Sequence, residues 1–247
     1  MRDIKVGFVG MGRVGGAVAA HLDKRGISVS GFFDIDPKAK GRGFKKFNNT
    51  KELAAAADII FLTVPDGKIA AAAKELKKHS LGNKIVCHAS GMLDADILGH
   101  KNACAAHPLC AVPHDKTRLD GITFSLEGPK ASVMAKVFKM AGNPVVKISA
   151  GDKHHYHAAC VIAGNLNFAL LHTAAEMFKK IKVPKNSWKK LFLQSAEHFF
   201  EGGLKALTGP LARGDAKTIK AHLKILRGQS KNIYKTLSAA LETELKK

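Results

Sequence analysis

The segment GFVGMGRVGGAV, residues 7–18, constrains the fold of this chain more than any other feature. Gly10, Gly12 and Gly15 in it follow the spacing G-x-G-x-x-G. The apolar, β-branched run before them, IKVGFV at 4–9, predicts a buried strand. The residues after them are compatible with a helix that ends near Gly26. The glycines therefore lie at a predicted strand-to-helix turn, which is where a dinucleotide-binding fold begins.

Each of the three glycines meets a different backbone requirement. Gly10 permits the tight turn, Gly12 lets a pyrophosphate approach the backbone, and Gly15 lets the helix pack closely on the strand. The free N–H groups of the helix N-terminus favour phosphate. A turn without a ligand is the alternative. The predicted dinucleotide-binding loop consists of Gly10, Met11, Gly12, Arg13, Val14 and Gly15.

Asp34 follows a second predicted strand, ISVSGFF at 27–33, at the distance from the glycines expected for the acid that binds the adenosine ribose. Its carboxylate would accept hydrogen bonds from the ribose hydroxyls and repel a 2′-phosphate, which slightly favours NAD over NADP. Lys38, Lys40 and Arg42 leave NADP open, because they could bind that phosphate if Asp34 turned away.

Up to about residue 150, predicted strands alternate with helices, which indicates an α/β fold with a parallel sheet. Past Gly151 the pattern is helical throughout, with predicted helices at 152–181, 186–201, 214–227 and 229–246. We expect a dinucleotide-binding domain at 1–150 and a helical substrate and dimerisation domain at 151–247. Because the helical half is short and rich in apolar faces, we expect it to form a homodimer.

Composition excludes several classes of protein. No apolar run reaches the length of a membrane span, and no secretory signal is recognisable, so we expect a cytoplasmic protein without a membrane partner. Four widely spaced cysteines indicate reduced thiols, and we predict no metal site. The net charge of +20 is spread along the chain, and aromatic residues make up only 6%, so we expect no specific nucleic-acid partner.

Polar residues that follow the predicted strands should gather at the carboxyl edge of the sheet, where ligands bind. TVPD at 63–66 brings Val64 and Pro65 to the cofactor, and CHASG at 87–91 brings His88 and Ser90 near its nicotinamide end. His107 in AAHPL reaches the same edge. Imidazole titrates near neutral pH, so His88 and His107 are the first candidates for a proton donor. Each could equally be structural.

The helical half supplies further candidates. Lys153 and His157 are second choices of proton donor. Asn165 could bind a polar substrate group, and Arg213 could clamp an anionic one with Asp215 orienting it. Exposed-surface and helix-entry roles are the alternatives for these residues. The candidate catalytic residues are thus His88, His107, Lys153, Asn165, Arg213 and Asp215.

Together GMGRVG, TVPD, CHASG, HPL, YHAA and ALTGPLARGD resemble a bacterial family with a Rossmann-like half and a helical half catalogued as a domain of unknown function. The family is similar, more distantly, to 6-phosphogluconate dehydrogenase, ketopantoate reductase and pyrroline-5-carboxylate reductase. The resemblance implies a helical domain of the 6-phosphogluconate dehydrogenase type and a dimeric, dinucleotide-dependent oxidoreductase. The hydroxyacid dehydrogenase relatives carry Lys and Asn four residues apart, whereas Val161 stands four residues before Asn165 here.

We therefore expect an NAD(P)-dependent oxidoreductase that transfers a hydride to or from a small, anionic substrate with a C=O or C=N bond, in a cleft between the domains. A non-catalytic NAD(P)-binding regulator is the first alternative, motivated by the missing Lys–Asn pair. A nucleic-acid binder is the second, motivated only by the charge.

Overall fold

The computed structural model describes residues 4–246. Within them the chain forms two compact units that divide between Gly164 and Asn165. The first unit contains a sheet with its covering helices and the second contains helices. The boundary was expected at residue 150. It lies later in the chain because one helix beyond the sheet groups with the first unit.

The sheet has seven strands among the described residues, in the order β2-β1-β3-β4-β5-β6-β7. The strands are β1 Lys5–Val9, β2 Ser28–Phe33, β3 Ile59–Leu62, β4 Ile85–His88, β5 Ala103–Pro108, β6 Phe124–Glu127 and β7 Val145–Lys147. The α/β fold predicted from the alternating pattern is confirmed. The chain reverses its direction of travel across the sheet between β1 and β3, and such a switch point is where ligands of open α/β sheets bind.

One strand departs from the predicted parallel arrangement. β6 runs antiparallel to β5, with His107 opposite Ser125. The connection between these strands contains no helix, and parallel neighbours need a long crossover that is usually helical. The sheet is therefore mostly parallel, with one reversed pairing at the β5–β6 junction.

Four helices connect strands of the sheet: α1 Arg13–Lys24, α2 Thr50–Ala56, α3 Asp66–Leu76 and α4 Ala131–Met140. Alternate residues of the central strands contribute to two apolar cores. In β3, Ile59 and Phe61 belong to one core, while Ile60 and Leu62 belong to the other. A strand that is apolar on both faces is typical of a parallel sheet covered on both sides.

The helical remainder of the chain begins with α5 Lys153–Cys160 and a π-helical segment, Val161–Asn165. Four helices follow: α6 Asn167–Lys180, α7 Lys185–Gly202, α8 Ala216–Ile225 and α9 Gly228–Leu245. The helical C-terminal half is confirmed, but the single helix predicted at 152–181 is interrupted by the π-helical turn.

The stretch Ala150–Lys180 is long and apolar enough to cross a membrane by length and composition, and none of its most apolar window is buried. This segment contains no uninterrupted apolar run of that length, because Lys153 and three histidines lie near its start. A helix that packs against another subunit has the same apolar composition.

Phe138 of α4 should be essential to the larger core. Its ring stacks on Phe124 with 3.9 Å between centroids and meets Phe61 edge to face. Phe138→Ala should lower the free energy of unfolding by about 3–5 kcal/mol, because it leaves a cavity among rigid strands. Urea unfolding measures this, with Met140→Ala as the control, since Met140 lies in the same helix but is 53% exposed. A loss below about 1 kcal/mol for Phe138→Ala would contradict the packing described here.

Candidate functional site

The three glycines of the first turn have the backbone environments that their spacing predicts. Gly10 has a φ of +90°. A Cβ on Gly15 would lie 2.3 Å from the carbonyl oxygen of Gly10 and 2.6 Å from Thr63 Oγ1, so the helix can approach the strand only without a side chain. A Cβ on Gly12, by contrast, would meet nothing within 4 Å. The turn is closed on the protein side and open on the side where a phosphate would lie.

A cleft of about 480 Å³ opens beside this turn. Several predicted cofactor-binding residues line it: Gly10, Gly12, Asp34, Val64 and Pro65. Lys68 and Ala72 of α3 form part of its wall, and Ile35, which is 90% exposed, stands at its edge. The size and the apolar lining suit the adenosine part of a dinucleotide.

The other predicted loop residues have different surroundings. Met11 is buried and belongs to the larger core, against which Val14 packs. Arg13 is exposed at the start of α1. Met11 contributes to the loop through its backbone, because its N–H donates to Asp34 Oδ2 at 2.8 Å.

Both carboxylate oxygens of Asp34 accept backbone hydrogen bonds. Oδ2 accepts from Met11, and Oδ1 accepts from the N–H of Asp36 at 2.9 Å. Asp34 therefore joins the end of β2 to the glycine loop and cannot turn away without losing both bonds. Of the nearby cations, Arg42 is engaged elsewhere, donating to the carbonyl oxygen of Asp115 at 2.7 Å.

Ser90 is the centre of the loop after β4. Its hydroxyl donates to Asp66 Oδ2 at 2.7 Å and accepts from the N–H groups of Met92 and Leu93. Asp66 lies in the first turn of α3. Ser90 is 5% exposed, so its side chain fixes the loop, and the backbone of the loop is the part a ligand can meet.

His88 is fully buried, and both of its ring nitrogens are satisfied within the protein. Nδ1 accepts from the N–H of Ser90 at 3.1 Å, so Nε2 carries the proton and donates to the carbonyl oxygen of Asp94 at 3.1 Å. Burial lowers the pKa of His88 to about 4. This geometry matches the structural alternative for His88, since no substrate reaches the ring in this conformation.

Lys153 is 1% exposed, and its Nζ donates to the carbonyl oxygen of Ser90 at 3.1 Å. Burial lowers its pKa, while the nearby carboxylates of Glu127, Asp94 and Asp66 oppose that shift. The amine thus ties the first turn of α5 to the loop after β4. Its contribution to proton transfer stays a prediction, and the buried position favours a positioning role.

His107 lies at the end of β5 and is only half-buried. Its Nδ1 is 2.9 Å from the hydroxyl of Tyr156. The ring of His157 packs edge to face against the imidazole of His107. A Cβ on Gly91 would lie 3.0 Å from His107 Nε2 and 2.7 Å from His157 Cδ2. The strand end, the β4 loop and helix α5 therefore converge on His107.

The remaining candidates lie in the helical unit. Asp215 is the N-cap of α8. Its carboxylate accepts hydrogen bonds from the backbone N–H of Thr218 at 3.0 Å and from the hydroxyl of Thr218 at 2.7 Å. These bonds lower the pKa of Asp215, and Arg213 adds a smaller contribution. Asp215 thus serves as a helix cap rather than as a dedicated partner of Arg213. Arg213 and Asn165 are exposed, and the roles predicted for them remain predictions.

Asp66 and Tyr156 were not among the site residues predicted from the sequence, whereas His157 was predicted as a second choice of proton donor. Asp66 directly follows TVP at a strand end, so its position at the sheet edge was a usable signal. Tyr156 and His157 fall within one turn of Lys153 on the same helix, which was a weaker one. Among residues 4–246, no group of three or more His, Cys, Asp or Glu side chains is arranged to hold a metal ion.

Comparison with known proteins agrees with this architecture. Residues 1–113 match the model of a Rossmann-like domain, and residues 122–241 match the family described as "Domain of unknown function (DUF2520)". The resemblance inferred from the motifs is confirmed. A 71-residue stretch is 34% identical to 2-(hydroxymethyl)glutarate dehydrogenase of Eubacterium barkeri, and the match spans only 24% of that protein.

Solved structures share the fold over nearly the whole chain. The structure titled "putative NADP oxidoreductase" from Bacteroides fragilis has a TM-score of 0.82 at 18% identity, covering 98% of both chains. A Thermotoga maritima protein has a TM-score of 0.70 at 20% identity, covering 98% of this chain and all of its own. Pyrroline carboxylate reductase of Plasmodium falciparum, solved with NADP bound, has a TM-score of 0.63 at 18% identity, covering 98% of both chains. At these identities the likeness establishes the fold.

Acid should destabilise the protein through His88. Its folded pKa of about 4 is below the unfolded value of 6.5, so the stabilisation is present above pH 6.5 and is lost as the pH falls toward 4. That difference corresponds to roughly 3 kcal/mol at most. In urea unfolding between pH 7 and pH 4, His88→Gln should flatten the pH dependence, whereas His154→Gln at an exposed position should not. Equal slopes in wild type and His88→Gln would contradict the buried, neutral imidazole.

Proposed function

We propose that this protein is an NAD(P)-dependent oxidoreductase acting on a small, anionic substrate with a C=O or C=N bond. The observation that carries the proposal is the geometry of the glycine turn. The backbone leaves no room for a side chain at Gly15, whereas the space beside Gly12 is empty. A cleft of adenosine size adjoins the turn. The names of the structural neighbours, which include NADP-bound reductases, support the same activity.

The residues present fit a dinucleotide. The N-terminus of α1 has no side-chain cap, so its N–H groups are free for the pyrophosphate. Asp34 would accept the ribose hydroxyls, and Val64 and Pro65 would border the adenosine cleft. When bound, the reduced nicotinamide supplies the hydride. The loop after β4, fixed through Ser90, and the imidazole of His107 would border the substrate.

We propose NAD as the preferred cofactor. Asp34 is held at the cleft by two backbone N–H groups, and a fixed carboxylate repels a 2′-phosphate. Arg42 is bound to Asp115, and Lys46 donates to the carbonyl oxygens of Asp36 and Pro37, so two of the nearby cations are engaged elsewhere. The net charge of +20 favours an anionic substrate.

Thermal unfolding with NAD, NADH, NADP and NADPH tests the cofactor site. A ligand that binds only the folded state stabilises it by about 2.7 kcal/mol at a hundredfold excess over its Kd, so a clear rise in Tm is expected. Gly12→Ala should abolish this rise while leaving the Tm without cofactor nearly unchanged. Gly151→Ala is the matched control, because its added Cβ also meets nothing within 4 Å. The absence of a rise with all four cofactors would contradict the proposal.

We further propose that the helical unit forms a homodimer. Large apolar side chains are exposed along α6 and α7, including Phe168 at 73% and Phe200 at 87%. A cleft of about 470 Å³ between these helices is lined by Phe168, Trp188 and Phe192, among others. A monomer rarely leaves so large an apolar surface in water, and a second copy of the same helices would cover it.

Sedimentation at physiological salt should give the mass of a dimer for the wild-type protein in the soluble fraction. Phe168→Glu should shift the equilibrium to monomer, because burying the new carboxylate at an apolar contact is costly. Lys217→Glu is the control, since it adds the same carboxylate at an exposed position of α8. A monomeric wild type, or recovery of the protein only with membranes, would contradict this assembly.

A further inference from the structure

Two histidine–tyrosine pairs in this protein have nearly the same geometry. His107 Nδ1 lies 2.9 Å from Tyr156 OH, with the rings 5.7 Å apart at 85°. His222 Nδ1 lies 2.9 Å from Tyr234 OH, with the rings 5.6 Å apart at 86°. The first pair stands at the carboxyl edge of the sheet, beside the loop after β4. The second joins α8 to α9 within the helical unit.

The free nitrogen of His107 faces the backbone of the β4 loop. Its Nε2 lies 3.0 Å from the position that a Cβ of Gly91 would occupy. Within residues 4–246, the structure shows a ring hydrogen bond for His107 only at Nδ1. Nε2 is therefore directed at space left by a glycine instead of at a protein acceptor.

The surroundings keep both members of this pair uncharged. Burial lowers the pKa of His107 to about 4, with Lys153 and His157 adding to the decrease and Asp66 opposing it. Burial also raises the pKa of Tyr156 to about 12, with Cys160 and Cys110 adding to the increase and Ser125 opposing it. Near neutral pH a neutral imidazole thus meets a protonated phenol.

The direction of the bond follows from the chemistry of the two groups. An imidazole nitrogen is a better acceptor than a phenol oxygen, and a phenol is a better donor than a neutral imidazole N–H. Tyr156 should therefore donate to Nδ1, which leaves the ring proton on Nε2. The partner thus selects the tautomer, as the hydrogen bond at one imidazole nitrogen does in general.

We propose that His107 is the catalytic hydrogen-bond donor of the site, acting as a neutral imidazole through Nε2–H on the substrate oxygen or nitrogen. Tyr156 is its positioning residue. The phenol fixes the tautomer of His107 through the hydrogen bond to Nδ1, and it supplies the proton that Nδ1 takes when Nε2 loses its own. This inference rests on the proposed function. It assigns protonation of the substrate to His107 and excludes the buried His88 from that role.

In the reduction of a carbonyl, a reduced nicotinamide bound beside the site would supply the hydride for the new C–H bond. The C=O π electrons move to oxygen, which takes the proton from His107 Nε2. As that N–H bond breaks, Nδ1 takes the phenolic proton of Tyr156, so the imidazole stays neutral and its tautomer is inverted. When the product has left, Nε2 takes one proton from water and Nδ1 returns its proton to the phenolate of Tyr156. This restores the starting tautomer, and one solvent proton is consumed for each hydride transferred.

Nitrogen NMR of 15N-histidine-labelled protein tests the pair without any cofactor. The His107 signals, assigned by their loss in His107→Gln, should be those of the neutral Nε2–H tautomer from pH 8 to pH 5. Tyr156→Phe should produce a mixture of tautomers at His107. Tyr234→Phe is the matched control, since it should alter His222 alone. An Nδ1–H tautomer, a charged ring at pH 5.5, or no change in Tyr156→Phe would overturn the proposal.

Turnover gives a second readout. In reductions of 2-oxo acids or cyclic imino acids with the cofactor that raises the Tm, Tyr156→Phe should lower kcat about 10²-fold, as expected for loss of general acid catalysis. Tyr234→Phe should stay within about twofold of wild type. His107→Gln, which keeps a neutral N–H donor, should retain more activity than His107→Phe. Equal kcat in wild type and Tyr156→Phe would overturn the relay, whereas the absence of any cofactor effect on Tm would count against the oxidoreductase and leave the NMR result standing.

Discussion

The close approach of α1 to the first turn is the constraint on which the rest of the site depends. The backbone at Gly15 lies so near the carbonyl oxygen of Gly10 that any side chain would collide with it. This contact directs the N-terminus of α1 to the carboxyl edge of the sheet, beside the end of β3. Because Gly12 is open at that point, free N–H groups of a helix face a cleft bordered by Asp34. A buried packing requirement thereby leaves the N-terminus of a helix facing open space, an arrangement that favours anions in general.

The opposite side of the sheet edge is organised by hydrogen bonds instead of by close packing. Ser90 joins the start of α3 through Asp66, the core through His88, and the start of α5 through Lys153. Buried polar groups of this kind are costly unless each is satisfied, and the partners described for these three are all within the same unit. The network fixes the loop that separates the glycine turn from His107.

The sequence predicted the fold and the backbone geometry of the glycine turn, because both depend on local patterns. The local sequence is enough to recognise the glycine spacing, the apolar strands and the position of Asp34 after β2. The reversed β6 was not predicted, although the connection between β5 and β6 contains no helix, which favours an antiparallel pairing. The π-helical turn at Val161–Asn165 was not predicted either. His88 and His107 look alike in the sequence, each at the end of a strand. Only the structure separates a ring with both nitrogens satisfied from one whose Nε2 is directed at Gly91.

We propose above all that the turn at Gly10–Gly15 binds a dinucleotide whose ribose is selected by Asp34. The most direct test is a titration with NADH, followed by the fluorescence of the cofactor, with NADPH as competitor at physiological salt. The account predicts saturable binding of NADH and displacement only at higher concentrations of NADPH. Absence of binding by either cofactor would contradict it.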